Sequence, residues 1–541
     1  MKHITFKSLC LLFAASALTA CSFEEVNTNQ QEITDKELLT DGLYAGAPLT
    51  ALQKQVTPVG TINDKTEIIN NYQRAYHLSA DVYSGYFGEN NNWVGGRNNT
   101  TYSLVEDWIS TSFRESYSKV IPLWKELKRK SKDSNRPELF ALAQILKISA
   151  WHKATDMFGP IPYKEAGEDK LVVPFDSQKD VYQYFFDDLN EAIAIMAKQA
   201  DQGIKVMQEY DAVYGGDAVK WTRYANSLML RLAMRISNID EAKAKKYAEM
   251  AIKNPYSVMQ NMDDEAKMEK GAGLVFVNNI ETFANQYGEA RMGSAMYAYM
   301  GGYEDPRLPA YFQQSSWSKA QPLGTYGKYA ALPPGTISKN NDTYKSFSVP
   351  NIAKNSPTYW MRASEVYFLR AEGALRHWDM GDTDENLYYK GILMSFKENG
   401  VDEGKINDYI YSDKQPIGFE LEMLDPYIDA HYKQPTTATV EYGGNQNRKM
   451  EKIMIQKWIA LYPNGMEAWS EVRRTGYPKL HRVYKNRSNG LIDSQKGIRR
   501  LQYPTQASSS KEDLENLEKA RQMLKGPDNG GTPLWWDCLN N

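Results

Sequence analysis

The sequence predicts a mostly α-helical protein in which tetratricopeptide-like helix pairs form the scaffold, long irregular loops are inserted between them, and strands are few and short. Three observations carry this reading. Apolar residues recur at spacings of three and four over several long stretches. The segments between them are long and rich in Gly, Asn, Ser, Tyr and Pro. Runs with the signature of strands are scarce and short.

The helices can be taken in order. From Pro137 to Phe158, Leu139, Leu142, Ala143, Leu146 and Ala150 make one apolar stripe, and Gly159-Pro160 ends it. Val181, Phe185, Leu189, Ala192 and Met196 repeat the pattern, as do Trp221, Tyr224, Leu228 and Leu232. Residues 362–377 (RASEVYFLRAEGALRH) form a further helix, followed by the turn Trp378–Asp382 and a helix with Leu387, Gly391 and Met394 on one face. Ala371, Gly373 and Ala374 are small enough for the two helices to approach closely, which gives a helix hairpin. Three insertions, at about 54–114, 254–358 and 401–446, separate these units. Loops of that length on a helical frame are usually functional surfaces.

The first residues read as an address. Lys2 and Lys7 precede the apolar run Leu9–Leu18, which is about half the ~20 residues of a membrane-spanning helix. Leu18-Thr19-Ala20-Cys21 then matches a bacterial lipobox, so residues 1–20 are expected to be removed and Cys21 to be acylated. Residues 21–45 are polar and form a tether, leaving 46–541 as one ligand-binding domain. Glu24-Glu25 resembles a signal for the outer face of the outer membrane, and serves equally as part of a solvated linker. Membrane contact is expected through the lipid alone. With Cys10 removed and Cys21 acylated, Cys538 is the one remaining thiol of three, so no disulfide framework can form.

Composition excludes some functions. Sixty-four basic against 67 acidic residues give a formal charge of −3, which offers no field for nucleic acid. The chain carries no HExxH, CxxC, GxxxxGK[ST] or GxGxxG. A metal cluster would need His77, His152, His377, His431 and His481 to converge, and no EF-hand spacing is present, so no metal or cofactor is expected. Acid pairs at Glu106-Asp107, Asp187-Asp188 and Asp263-Asp264-Glu265 leave a glycosidase open by residue type. Their simpler role is a solvated helix face for Asp187-Asp188 and a polar loop for 263–265.

Ligand-binding composition concentrates in two segments. In 77–108, Tyr83, Tyr86, Phe87 and Trp93 alternate with asparagines, Asp81 and glycines; in 296–329, tyrosines and Trp317 lie among Gly, Ser and Gln. Ring planes can cover the apolar faces of sugars while amides and carboxylates pair with hydroxyls. Trp93, Tyr86, Trp317 and Tyr326 are the predicted ligand residues, although most rings in such loops pack against the frame.

Several motifs together resemble the SusD/RagB family of nutrient-binding outer-membrane lipoproteins, in its SusD-like branch. They are the lipobox at Cys21, Asp156-Met157-Phe158-Gly159-Pro160-Ile161-Pro162-Tyr163, the helix from Trp221, Glu304-Asp305-Pro306-Arg307, Arg362-Ala363-Ser364-Glu365-Val366-Tyr367 and Gln456-Lys457-Trp458. Glu467-Ala468-Trp469, Arg473-Arg474-Thr475-Gly476-Tyr477-Pro478 and Arg499-Arg500-Leu501-Gln502-Tyr503-Pro504 complete the set. The resemblance implies a helical frame, a loop-borne ligand site, no catalysis, and a TonB-dependent SusC-like outer-membrane barrel as partner, with an oligosaccharide ligand in the first instance. A surface glycoside hydrolase and a peptide-capturing member of the same family are the alternatives.

The lipid anchor has a direct test. Cys21→Ala is expected to leave the protein unacylated and in the soluble fraction of cells that lack the partner barrel; retention in the outer membrane would show a second attachment.

Overall fold

The computed structural model describes residues 43–424, 427–505 and 510–537. Cys21, the signal segment, Cys538 and nearly all of the tether lie outside the described residues. Helices dominate, and they stand where the periodicity puts them. The first, α1, runs Leu43–Val56. After the first insertion come α2 (Val120–Asp133), α3 (Pro137–Phe158), α4 (Gln178–Asp201), α5 (Ala218–Arg235) and α6 (Glu241–Lys253). The second insertion leads to α7 (Ala363–Leu375) and α8 (Asp384–Glu398), and the third to α9 (Gln446–Leu461) and α10 (Gly465–Thr475); α11 is Lys511–Gln522.

Local chemistry fixes these boundaries. Ser177, Asp217, Asp240, Thr383, Asn445, Asn464 and Ser510 each accept a backbone N–H in the first turn of the helix that follows, which satisfies a donor the helix cannot. Pro137 opens α3, and Gly159, at a φ of 91°, closes it. Neighbouring helices pack in sequence: α2 on α3, α3 on α4, α4 on α5, α5 on α6, and α7 on α8, with α9 covering α7. The predicted hairpin of α7 and α8 is therefore present. A Cβ on Gly391 would lie 2.8 Å from the Phe368 ring, so the two helices meet closer than any larger residue allows.

The insertions are more ordered than a loop reading predicts. A π-helix runs Gln73–Asp81, and the short strands β1 (Phe87–Glu89) and β2 (Ala290–Met292) pair antiparallel, joining the first insertion to the second. The third contains a hairpin of two six-residue strands, β3 (Phe419–Leu424) with β4 (Tyr427–Tyr432). Strands β1 and β2 are each three residues long, too short for alternation to register in the sequence, and the two lie far apart in the chain.

Two of the acid groups differ from the solvated roles expected of them. Asp188 accepts from the buried Lys147 at 3.0 Å and from the Tyr163 hydroxyl at 2.6 Å. Asp264 and Glu265 are buried, and Asp264 pairs with Arg223 at 2.8 Å. A polar residue beside an apolar stripe can be turned inward by one cation on the next helix, which periodicity alone does not reveal.

The core contains a connected set of charges. Arg235 on α5 bonds Asp156 of α3 at 3.2 Å and both Glu467 (2.6 Å) and Glu471 of α10. Arg231 pairs with Glu365 of α7, and Arg474 joins Glu471 to Glu372, each at 2.6 to 2.7 Å. Lys457 of α9 pairs with Glu471, and Arg499 with Asp537 near the end of the chain. Burial alone would raise Glu467, but Arg235 and Arg231 beside it hold its pKa down at about 2.

Arg235→Met is expected to destabilise the protein by about 3–5 kcal/mol, because three buried carboxylates lose the one cation they share. Arg129→Met, at an exposed pair with Asp133, should change stability by less than about 1 kcal/mol. Denaturant unfolding followed by circular dichroism compares the two; equal effects would mean that the buried charges do not tie the helices together.

Candidate functional site

A cleft of about 540 Å³ lies between the segment after the π-helix and the chain that leaves α10. Tyr83, Gly85 and Phe87 reach it from the first side, Thr100 and Tyr102 from the loop beyond β1, and Gly293 to Ala295 from the residues after β2. Trp469, Arg473 and Gly476 of α10 and the following stretch as far as Arg499 supply the rest. Two glycines let these segments meet. A Cβ on Gly293 would stand 2.4 Å from the Gly85 carbonyl oxygen, and Gly85 itself, at a φ of 83°, faces Leu480 and Ala295. Gly476 caps α10 in the left-handed conformation and turns the chain toward the cleft.

The aromatic side of the cleft is continuous. Tyr83 lies 5.3 Å from Trp469 and 6.0 Å from Tyr102, centroid to centroid. Tyr102 is half-buried and holds a φ of 65°, a conformation rare for a residue with a side chain and found at sites where geometry is imposed. Arg473 stacks 3.5 Å over Trp469, donating to the backbone carbonyls of Asp156 and Arg499. Burial pushes the Arg473 pKa down to about 9. His481 stacks on Tyr432 at 4.4 Å, and its Nδ1 is 2.8 Å from the Ser294 hydroxyl. Its Nε2 is buried without a hydrogen-bond partner. Burial lowers the His481 pKa to about 4, so the ring is neutral at pH 7.

Three of the four predicted ligand residues keep an open ring. Trp93 is half-buried, set edge-on to Trp108 at 6.2 Å, with its carbonyl taking the Asn98 amide at 2.9 Å. Trp317 is half-buried against Phe347 at 4.8 Å. Tyr326 is half-buried in the turn between Gln321–Pro322 and Lys328–Tyr329, with the Lys405 ammonium 5.9 Å from its ring. The Trp93 and Trp317 loops share a support: the Asn90 side-chain oxygen Oδ1 accepts from the Ser338 hydroxyl and from the Tyr344 N–H, and Tyr344 touches Phe347 at 5.3 Å. Tyr86 departs from the expectation. It is fully buried between Trp458 and Tyr462, its hydroxyl donates to the Trp458 carbonyl, and it presents no ring face to a ligand. A ring that satisfies its hydroxyl on a core helix has the same composition signature as one on the surface.

Among the described residues, one group of metal-type donors stands together: Glu422, Asp429 and His431 on the exposed face of the β3–β4 hairpin. The hydrogen bond from His431 to Asp429, 2.6 Å long, raises the histidine pKa, and ion pairing accounts for the cluster. The other described histidines stand apart from this group; His77 meets Glu89 and His152 the Ile148 carbonyl, and His377 is exposed.

The sequence profile of the SusD-like family, described as Susd and RagB outer membrane lipoprotein, matches residues 25–537. The chain belongs to the SusD-like family. Among solved structures, a chitin-binding SusD homologue from Flavobacterium johnsoniae is 33% identical, with a TM-score of 0.83 over 92% of this chain and 99% of its own. SusD homologues from Bacteroides vulgatus (31% identical, TM-score 0.83, 93% and 100% covered) and Bacteroides thetaiotaomicron (32%, 0.79, 91% and 99%) are similar throughout. No curated protein sequence is significantly similar to the chain. Among the described residues, no helix is long and apolar enough to cross a membrane.

Within this SusD-like chain the motifs that carry the resemblance are mostly frame. Asp156, Glu365, Lys457, Glu467, Arg474 and Arg499 all belong to the buried charge set. Asp305 and Arg307 pair at 2.6 Å with no exposure. Only Trp469, Arg473, Gly476, Pro478 and Arg499 also line the cleft. The stretch from Lys479 to Lys496 lies outside all three predicted insertions. Its signal was present in charge: between Tyr477 and Ile498 the chain has Lys479, Arg482, Lys485, Arg487 and Lys496 against Asp493 alone, in a protein that is otherwise slightly acidic.

Proposed function

We propose that the protein is a lipid-anchored, outward-facing binder that captures a glycan and delivers it to a TonB-dependent SusC-like barrel, doing no chemistry itself. The observation that carries this reading is the likeness, at 33% identity over nearly the whole of both chains, to a homologue that binds chitin. The cleft supports it: Tyr102 and Trp469 line it, and the rings of Trp93 and Trp317 stand on loops seated on one common segment. Sugar faces removed from water by such rings gain roughly 25 cal/mol per Å², whereas water competes well for the hydroxyls.

A hydrolase is disfavoured by the same cleft. Glycoside cleavage needs two carboxyl groups flanking the bond, and no Asp or Glu is among the described residues that line it. Asp188 and Asp264 are tied to Lys147 and Arg223.

Trp93→Ala, Trp317→Ala and Tyr326→Ala are each expected to weaken binding by about 1–3 kcal/mol, the size of aromatic stacking on bases, or about ten- to hundredfold. Tyr86→Phe should leave affinity unchanged. Titration calorimetry against a glycan library, with reducing ends assayed in parallel, checks this. Released reducing ends would establish the hydrolase, and binding of peptides alone would establish peptide capture.

A further inference from the structure

The cleft has a charge inventory that a site for neutral sugars does not require. Its described lining residues include Lys479, Arg482, Lys496, Arg473 and Arg499, and no carboxylate, although the chain as a whole has more acidic than basic residues. Chance placement of surface charge on such a chain would mix the signs.

These cations differ in how far they are already neutralised. Arg499 is committed to Asp537, at 2.6 and 2.7 Å. Arg473 is buried and held by carbonyl oxygens and the Trp469 ring, so its charge has no carboxylate in contact. Lys479, Arg482 and Lys496 are exposed and make no ion pair among the described residues. The nearby Asp493 carboxyl is occupied by the N–H groups of Gln495 and Lys496, at 2.7 and 2.9 Å. Beside them stands the neutral His481, whose Nδ1 meets Ser294 and whose Nε2 has no partner. A concave, partly water-excluded wall focuses the field of unpaired cations toward the space it encloses. Guanidinium and ammonium groups also make charge-assisted hydrogen bonds roughly twice as strong as neutral ones.

We propose that the cleft takes an acidic glycan, with a sugar carboxylate or sulfate set against Arg482 and Lys496 beside the ring of Tyr102. This rests on the glycan-binding reading and narrows it to an anionic class. Two sources share the chemistry: a uronic acid, whose anion is planar, and a sulfate ester, whose oxygens are tetrahedral.

The test compares matched ligands by titration calorimetry on the full mature chain. A uronic-acid oligosaccharide is set against its methyl ester, a sulfated oligosaccharide against its desulfated form, and a chitin oligosaccharide serves as a neutral reference. At least one acidic member should bind about tenfold or more tighter than its neutral counterpart, and the preference should shrink as salt rises from about 0.05 to about 0.5 M. The double variant R482Q/K496Q, shown to be folded by circular dichroism, should bring the acidic ligand down to the affinity of its neutral counterpart. Equal binding within both pairs, with glycans still bound, would overturn the acidic assignment and leave the glycan reading standing. An acidic preference untouched by R482Q/K496Q would place the anion site elsewhere and also overturn it. No binding by any oligosaccharide would overturn the glycan reading itself, and this inference with it.

Discussion

Arg235 is the residue around which this protein closes. It meets carboxylates from α3 and α10 at once, and through Glu467 and Glu471 it connects to Arg231, Lys457 and Arg474, and so to α7 and α9. Each of these groups is almost wholly buried, so none can be left without its counterpart. Attraction between such charges does not by itself make a fold more stable than an apolar core would. It does restrict which arrangement is acceptable. Helices that slid by one turn would strand several charges together, while a set of apolar contacts could repack.

That constraint explains what can vary and what cannot. Asp156 also takes the Trp536 indole and the Tyr182 hydroxyl, so the last described stretch of chain is fastened to the same point as α3 and α4. The cleft then draws its walls from segments hung on that frame: the stretch from Val82 to Phe87 that follows the π-helix at one side, the chain beyond Gly476 at the other. Trp469 and Arg473 belong to both, since they pack in the core and face the cleft. A ligand therefore meets a surface whose back is rigid and whose outer rings stand on loops.

The helices were legible in the sequence because a 3.6-residue stripe is a strong local signal, and the family resemblance was legible because charged residues inside helices must be kept in register. The site was legible only in part. Trp93 and Trp317 were found as rings in polar, glycine-rich stretches, and the structure leaves both half-open. Tyr86 had the same surroundings in sequence but lies one residue before β1, where its side chain turns to α9, and no local pattern records that. The chain from Lys479 to Lys496 follows a motif that reads as frame, and its excess of cations is the one local mark of its place in the cleft. Within the acid pair the two residues part: Asp187 is exposed, as a solvated face requires, whereas Asp188 is claimed by Lys147 and Tyr163.

The central claim is that a charge-locked helical frame presents a glycan cleft built from segments within 77–108 and 477–499, and that the Trp93 and Trp317 rings, which stand outside its lining, also meet the ligand. Hydrogen–deuterium exchange with and without a bound oligosaccharide tests this most directly. The account predicts added protection in 77–108, in 338–348 and in 477–499, with the amides of α5 and α10 protected alike in both states. Protection confined to the separate groove lined by Lys125 and Arg129 of α2, Phe140 of α3 and Ile195 of α4, or a ligand-dependent change in α5, would contradict it.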